Sequence, residues 1–191
     1  MTEPIRCAWC LSDPLYIQYH DEQWGVPVHE DRKLFEFLVL EGAQAGLSWL
    51  TVLKKRQGYK KAFLDFNVHA LAKLGENDIQ ELLLNDGIIR HQGKIRSVIK
   101  NAQAFIKVQE EYGSFDVYSW RFVGGKPIVH SLRRLEDMPS VSKESEAFSR
   151  DLKRRGFVFV GPTIMYAYMQ AVGMVNDHLV SCMRFRTSFE K

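Results

Sequence analysis

Apolar positions along the chain recur mostly with helical spacing. In the segment 93–113 they fall at 95, 98, 99, 102, 105 and 106, on one face of an α-helix. Segments with a helical pattern cover 12–25, 30–46, 47–66, 76–86, 93–113, 142–156 and 161–173. The one strand-like stretch, FVFVG at 157–161, is too short to imply a sheet. The pattern predicts an all-α protein in which helices pack on helices.

Residues at the helix ends support these boundaries. Ser12 or Asp13 is a suitable N-cap for the first helix, Ser48 for the third, and Asn77 or Asp78 for the fourth. Proline and glycine interrupt residues 123–140, which predicts a loop between helices. The length of 191 residues predicts one domain spanning 1–191, as a single body or as two closely packed helical lobes.

Composition and charge narrow the class of protein. Hydrophobic residues make up 46% and charged residues 26% of the chain, as in ordinary globular proteins. The N-terminus has no apolar signal core, and no apolar run approaches membrane-spanning length, so we expect a cytoplasmic protein without a membrane partner. A net charge of +3 permits nucleic acid as a partner without requiring it. Three cysteines argue against a disulfide framework and leave metal binding open.

The segment NDHLVSC, residues 176–182, places His178 and Cys182 four residues apart. On a helix both side chains would lie on one face and could reach one ion. A structural zinc needs four ligands, and the remaining candidates near the N-terminus are Cys7, Cys10 and His20. Spacing alone leaves a Cys7–Cys10 pair and a Cys7–His20 pair equally open. The alternative is that Cys182 is a small core residue and His178 a buried polar one.

The stretch LNDGIIRHQGKI, residues 84–95, joins a short helix to a long one through a turn with Gly87 and Gly93. In a helix–hairpin–helix, such a turn presents backbone N–H groups and a helix N-terminus to a nucleic-acid phosphate. Four nearby side chains could add cationic contacts: Arg90, His91, Lys94 and Arg96. The alternative is an ordinary pair of helices whose charges face solvent.

Aromatic residues are dense around one acidic position. Glu41 continues the apolar stripe of Leu34 and Leu38, so its helix is predicted to bury a carboxylate. Aromatic faces beside a carboxylate suit a flat, positively charged ligand. The aromatic candidates are Trp9, Tyr16, Tyr19, Trp24 and Trp49. The alternative is that Glu41 caps an exposed helix end and that the aromatic residues belong to the core.

Five motifs together resemble one family. They are DPLYIQYHDEQWGVP, LEGAQAGLSWLTVLKKR, GIIRHQGKI, KRRGFVFVGPT and NDHLVSC, and the resemblance runs from about residue 5 to 183. This pattern is similar to the bacterial 3-methyladenine DNA glycosylase I family, a zinc-containing branch of the helix–hairpin–helix glycosylases. The resemblance implies a helix–hairpin–helix over about 77–110 and excision of 3-methyladenine from alkylated double-stranded DNA, which leaves an abasic site and the free base. We expect the protein to act as a monomer.

The resemblance also implies roles for individual residues. It places one structural zinc, which joins the N- and C-terminal segments, on Cys7, His20, His178 and Cys182, with Cys10 as a spare thiol. It places six side chains around the flipped base: Trp9, Tyr16, Tyr19, Trp24, Glu41 and Trp49. Gly46 and Leu47 resemble the segment that enters the duplex where the base has left. With the hairpin candidates, the expected DNA contacts are Gly46, Leu47, Gly87, Arg90, Gly93 and Lys94.

The expected chemistry follows from a departing base that is already cationic. Many relatives in the wider superfamily use an aspartate after a Gly/Pro-containing stretch downstream of the hairpin, but GGKPIVH at 124–130 offers none. Glu41 is therefore assigned to recognition and electrostatic stabilisation, as the one catalytic candidate. Two other classes of function stay open from the sequence: a non-catalytic, zinc-stapled DNA-binding module, and a zinc hydrolase with an open metal position.

Overall fold

The protein is mostly helical, as predicted. The structure, a computed structural model, describes residues 3–187. Its helices are α1 Pro14–Glu22, α2 Asp31–Gln44, α3 Trp49–Ala62, α4 Val68–Leu71, α5 Glu76–Leu84, α6 Gln92–Tyr112, α7 Phe115–Trp120, α8 Lys143–Arg154, α9 Pro162–Ala171 and α10 Arg184–Thr187. Two short strands, β1 Ile128–Val129 and β2 Val175–Asn176, pair in parallel. Within residues 3–187, no helix combines the length and apolar character that a membrane crossing requires.

Side chains cap the helix starts largely where the sequence predicts. The Asp13 carboxylate accepts a hydrogen bond from Leu15 N at 2.9 Å, and Ser48 Oγ accepts one from Thr51 N at 3.2 Å. The prediction of Asn77 or Asp78 as the cap of α5 is wrong, because this helix begins at Glu76. Asp78 lies inside its first turn and accepts a hydrogen bond from Gly75 N at 2.7 Å.

Helix α2 is the central element of the fold. It packs against α3, α6, α7 and α9, and its residues 37–43 are all buried. A helix that is apolar on most faces has to be surrounded on most sides to remove that surface from water. Glu41 is thereby carried into the interior, which confirms the prediction that this helix buries a carboxylate.

The C-terminal motif NDHLVSC is not helical, which corrects the expectation from its spacing. Its first residue, Asn176, is the last of β2 and lies opposite Val129 of β1, so the predicted loop 123–140 also contains a strand. The Asn176 side chain then accepts a hydrogen bond from His178 N at 3.0 Å, and Cys182 N donates to Leu179 O at 2.8 Å. These local bonds form turns instead of a helix.

The strand-like segment 157–161 forms no strand. The buried side chain of Asn101 bonds both backbone polar groups of Val158: Oδ1 accepts from Val158 N at 2.8 Å, and Nδ2 donates to Val158 O at 3.0 Å. The next residue, Phe159, has a positive φ of 56°. It packs beside Gly42 of α2 and Gly93 of α6, so this apolar segment fills the space between the two helices.

The turn between α5 and α6 rests directly on α3. A Cβ atom at Gly58 would overlap the carbonyl group of Gly87, so glycine lets the two backbones touch. The Tyr59 hydroxyl accepts a hydrogen bond from Ile89 N at 3.3 Å on the same side of the turn. These contacts fix the hairpin to the helix that follows the 45–48 loop.

We expect Gly58→Ala to lower the free energy of unfolding by about 1–3 kcal/mol, because the added methyl group meets backbone that cannot move aside. Alanine favours a helix by up to about 1 kcal/mol over glycine, so the loss has to exceed that gain. Urea unfolding measures the change. The matched control is Gln57→Ala, an exposed change on the same helix, with a shift below about 0.5 kcal/mol. Equal stability of wild type and Gly58→Ala would contradict the backbone contact.

Candidate active site and metal cluster

A cavity on one side of α2 brings together all six side chains assigned to the base. Its wall consists of Trp9, Tyr16, Tyr19, Trp24, Glu41, Gln44, Trp49, Met138, Ala167 and Gln170. The 3₁₀ turn Ala8–Cys10 and helix α1 supply one side, α2 and α3 a second, and α9 a third. The six predicted base-binding residues, which extend over forty positions of the sequence, therefore line one cavity. This is the arrangement expected of a binding pocket.

Glu41 is the single acidic side chain of this cavity wall. It is 3% exposed, and among the described residues its Oε2 atom has no hydrogen-bond partner. Burial raises the pKa of Glu41 to about 8, because the ionised form has lost its water without gaining a cation. A cationic ligand in the cavity would reverse that penalty, so this carboxyl favours positive charge.

The aromatic side chains form two groups around the acid. Trp9 lies against Tyr16 with ring centroids 4.8 Å apart and against Trp24 at 5.0 Å. On the other side, Tyr19 lies 5.3 Å from Trp49. The indole N–H groups of Trp9 and Trp49 are buried and have no acceptor within the part of the chain that the structure describes. The residues that line the cavity thus combine flat apolar faces, two indole N–H groups without an acceptor in residues 3–187, and one carboxyl group.

Four lining residues were missed from the sequence: Gln44, Met138, Ala167 and Gln170. Gln170 is held by a buried network in which its Nε2 donates to Asp177 Oδ2 at 2.7 Å. The same carboxylate oxygen accepts from the Tyr166 hydroxyl, and Asp177 Oδ1 lies 2.7 Å from His130 Nδ1. The spacing of 167 and 170 on one helix face was an available signal, but the helical pattern alone did not show which face meets the cavity.

The two chain ends meet in a buried cluster of Cys7, His20, His178 and Cys182. One ligand atom from each residue lies within 4.8 Å of the other three. Cys182 Sγ is 3.5 Å from His20 Nε2 and 3.6 Å from His178 Nδ1, and Cys7 Sγ is 3.8 Å from His178 Nδ1. Tetrahedral zinc bonds of about 2.3 Å to sulfur and 2.0–2.1 Å to nitrogen place such atoms about 3.6 Å apart. The cluster could therefore bind a metal ion.

The second ring nitrogen of each histidine is also fixed. His20 Nδ1 lies 2.8 Å from Asp21 Oδ1, and His178 Nε2 lies 3.0 Å from the Trp24 carbonyl oxygen. Both contacts favour a proton on the outer nitrogen, which leaves the inner nitrogen as a lone-pair donor. The hydrogen bond between the thiols raises the pKa of Cys7 and lowers the pKa of Cys182, because they share one proton. These donors suit a thiophilic divalent cation.

Cys10 stays outside the cluster. Its Sγ donates a hydrogen bond to the Cys7 carbonyl oxygen at 3.1 Å, so the CxxC spacing serves the turn and brings one thiol, not two, to the site. The cluster lies directly behind the cavity: the His178 ring is 4.6 Å from Trp24, and the His20 ring is 5.3 Å from Trp9. A bound metal ion would stabilise the wall that carries these indoles.

The exposed loop after α2 continues the cavity toward the surface. Gly46 has a positive φ of 77°, and the Leu47 side chain is 40% exposed. A second depression shares Glu41, Gln44 and Ala167 with the cavity and extends along 45–47 to Thr163 and Ile164. Leu47 is therefore an exposed apolar side chain at the mouth of the cavity.

The hairpin presents only part of the predicted DNA-binding set. Arg90, His91 and Gly93 are exposed, and the N–H groups of Gln92 and Gly93 lie at the first two positions of α6, where a helix offers no acceptor.

The other predicted groups of the hairpin have partners within the protein. Gly87 N donates to the Asn85 side chain, and Arg96 pairs with Glu76. The Lys94 ammonium is turned inward to two carbonyl oxygens, so its assignment as a phosphate contact does not fit this geometry.

The pKa of Glu41 predicts a pH-dependent stability. The folded state keeps this proton up to about pH 8, whereas the unfolded chain releases it near 4.5, so stability is full at low pH and falls as pH rises between these values. The unfolding free energy of wild type, measured relative to that of Glu41→Gln, should fall by about 1.4 kcal/mol per pH unit from pH 5 to 8. Urea unfolding at several pH values tests this. Glu110→Gln, an exposed control on α6, should follow wild type in parallel; a pH-independent Glu41→Gln difference would contradict the burial effect.

Comparison with known proteins places this site in a family. The family described as methyladenine glycosylase matches residues 9–185. DNA-3-methyladenine glycosylase 1 of Escherichia coli (strain K12) is 48% identical over 177 residues, which cover 93% of this chain and 95% of that protein. A crystal structure of 3-methyladenine DNA glycosylase I is 49% identical, with a TM-score of 0.92 over 94% of this chain and 98% of that one.

A third similarity concerns ligand recognition. A structure that describes 3-methyladenine recognition by 3-methyladenine DNA glycosylase I from Staphylococcus aureus is 37% identical, with a TM-score of 0.92 over 94% of this chain and 96% of that one. The matches cover the cavity and three of the four cluster residues within one continuous family alignment. The chain belongs to the methyladenine glycosylase family.

Proposed function

We propose that the protein is a DNA glycosylase that excises 3-methyladenine from alkylated DNA and leaves an abasic site. The observation that carries this proposal is the buried Glu41 carboxyl, whose Oε2 has no hydrogen-bond partner within residues 3–187, in an aromatic cavity that opens beside an exposed loop. Family membership supports the same activity, because relatives 45% and 48% identical over nearly the whole chain are named as 3-methyladenine DNA glycosylases.

Recognition of the base rests on charge and shape. A base within the duplex is inaccessible, so the nucleotide has to be extruded, which costs a few kcal/mol of stacking and pairing. Methylation at N3 makes the adenine of the intact nucleoside cationic. The aromatic faces of Trp9 and Trp49 can stack on this ring, and Glu41 becomes ionised opposite its positive charge. A neutral purine carries no positive charge that could stabilise the ionised form of the desolvated Glu41 carboxyl.

Bond cleavage needs little acid catalysis from the protein. When the bond between C1′ of the sugar and N9 of the base breaks, its electron pair moves to the base, which leaves as neutral 3-methyladenine. Water then forms a bond to C1′ and releases its proton to solvent. Glu41 stabilises positive charge during this sequence through its electrostatic field. This role agrees with the absence of an aspartate from residues 124–130.

The proposed DNA surface joins the hairpin to the 45–47 loop. The N–H groups of Gln92 and Gly93, at the positive end of α6, suit a phosphate oxygen, and Arg90 is exposed beside them. These contacts supply affinity and carry no base information. Gly46 and Leu47 are proposed to enter the duplex where the base has left, because Leu47 is the exposed apolar side chain at the cavity mouth.

The metal cluster is proposed to hold one structural zinc ion on Cys7, His20, His178 and Cys182. The donor set and the fixed histidine nitrogens support zinc, and four protein ligands complete its tetrahedron. A zinc ion held in this way supplies stability without activating water, which argues against a zinc hydrolase. We further propose that the chain is one domain that acts as a monomer.

The rate of base release should depend on whether the base in the nucleotide is cationic or neutral. Wild type should release 3-methyladenine from methylated duplex and release hypoxanthine, a neutral base, scarcely at all. Glu41→Gln should slow 3-methyladenine release about thirtyfold or more, equivalent to about 2 kcal/mol for losing one partner of a buried charge pair. Chromatography of released bases from matched duplexes measures both rates, with Glu110→Gln as the control. DNA binding without base release would favour the non-catalytic module, and comparable release of both bases would refute charge recognition.

Metal content should follow the proposed ligands. Cys182→Ala should lose the ion and melt at a lower temperature, whereas Cys10→Ala should retain one zinc per chain. Elemental analysis and thermal unfolding give the two readouts. Chelation of wild type should also weaken binding of free 3-methyladenine, since Trp9 and Trp24 pack against the ligand histidines. Loss of metal in Cys10→Ala together with its retention in His20→Ala would overturn the ligand set.

A further inference from the structure

Lys94 lies in the first turn of α6, but its side chain runs into the protein. The residue is 9% exposed, and Nζ donates hydrogen bonds to the carbonyl oxygens of Ala43 at 2.8 Å and Ala45 at 2.7 Å. Both acceptors lie at the C-terminal end of α2, where a helix has carbonyls without intrahelical partners and a negative dipole end. The ammonium therefore caps the helix that carries Glu41.

The two carbonyl groups stand at the junction between two functional parts. Ala43 follows Glu41 by two residues within α2, so its position is linked to that of the carboxyl group. Ala45 is the last residue before Gly46 and Leu47, the proposed duplex-entering loop. One side chain thus holds both the end of the pocket helix and the start of the loop.

The backbone of Lys94 is fixed equally well on the hairpin side. Its N–H group donates to His91 Nδ1 at 3.2 Å, and its carbonyl oxygen accepts from Ser97 Oγ at 2.6 Å. His91 is the N-cap of α6, directly before the N–H groups proposed to contact phosphate. Burial lowers the pKa of Lys94, and the two carbonyl oxygens replace part of the lost water. The residue is thus bound at both ends.

We propose that Lys94 is a positioning residue that holds the Glu41 pocket and the 46–47 loop in register with DNA bound at the hairpin. The proposal rests on the glycosylase function and adds a residue that contacts neither the base nor a phosphate. When the hairpin is bound to the DNA backbone, it can set the depth at which the 46–47 loop enters the duplex. This requires a rigid connection between the hairpin and the loop. Without the ammonium, the hairpin still binds the backbone, but the loop and the carboxyl lose their alignment with the extruded nucleotide.

Four variants separate this role from a phosphate contact. Lys94→Met keeps the aliphatic stem and removes the ammonium, and Lys94→Arg restores a buried cation. Arg90→Met removes an exposed hairpin charge, and Lys100→Met is the control at an exposed position of the same helix. Each is assayed for affinity to undamaged duplex, for the fluorescence of 2-aminopurine beside the lesion as a measure of unstacking, and for single-turnover 3-methyladenine release at saturating enzyme.

Lys94→Met should bind undamaged duplex within about threefold of wild type but lose the 2-aminopurine signal and release the base about ten- to a hundredfold more slowly, as small misplacements do. Lys94→Arg should recover much of that rate. Arg90→Met should show the opposite pattern, in which the affinity for duplex falls by a larger factor than the rate of release at saturating enzyme, and Lys100→Met should match wild type.

Two results would overturn the inference. Lys94→Met could behave as Arg90→Met does, which would make the lysine a phosphate contact, or it could release the base at the wild-type rate. Lys94→Gln, which removes the charge but keeps a polar end group, is included in case the methionine variant fails to fold, and the same slow release is expected of it. Failure of both to fold would make the lysine a stability element alone. If wild type itself releases no 3-methyladenine, the proposed function fails, independently of how the variants rank in unstacking.

Discussion

The Glu41 carboxyl lies in the interior and pairs with no cation of residues 3–187, and much of the structure is arranged around this desolvated acid. Its helix, α2, is surrounded on most sides, and the carboxyl faces the aromatic cavity and the depression that adjoins it along 45–47. A pKa of about 8 means that the free protein holds Glu41 largely protonated at neutral pH. The negative charge is therefore fully developed only when a positive ligand compensates for it, and this condition couples occupancy of the cavity to the charge of the ligand.

The elements around α2 keep this arrangement rigid. The cluster of Cys7, His20, His178 and Cys182 fixes the indole wall from behind, and Phe159 packs beside Gly42 of α2 and Gly93 of α6. The Gly58–Gly87 backbone contact seats the hairpin on α3. The cavity, the 45–47 loop and the turn between α5 and α6 are consequently parts of one packed body, in which small displacements are not absorbed locally.

Residues with a strong local pattern were predictable from the sequence. The helical period placed α2 and α6, Asp13 and Ser48 capped the helices that they precede, and the burial of Glu41 followed from its position on an apolar stripe. The cluster residues came from the family resemblance, because spacing alone did not separate Cys10 from His20 as the partner of Cys7. Their proximity in the structure agrees with that assignment.

The predictions that failed concern features that depend on tertiary contacts, and a local sequence pattern does not contain these contacts. Asn101, more than fifty residues away, satisfies the backbone of Val158 and removes the need for a strand. The inward direction of Lys94 depends on carbonyl groups at the end of another helix, so an exposed cation was the natural expectation from charge alone. NDHLVSC has a helical ligand spacing, yet only its first residue, Asn176, pairs with β1, and local hydrogen bonds turn the chain after it.

The joining of both chain ends in one cluster has a consequence for the order of assembly. Cys7 and His178 are separated by 171 residues and His20 and Cys182 by 162, so these contacts close very long loops. Closing a long loop costs chain entropy before the contact returns any stabilisation. During synthesis Cys7 and His20 leave the ribosome long before their partners, so the cluster behind Trp9 and Trp24 is completed only after residues 178–182 have emerged. A chain released before residue 182 would lack one of the four cluster residues and, with it, part of the support behind the indole wall.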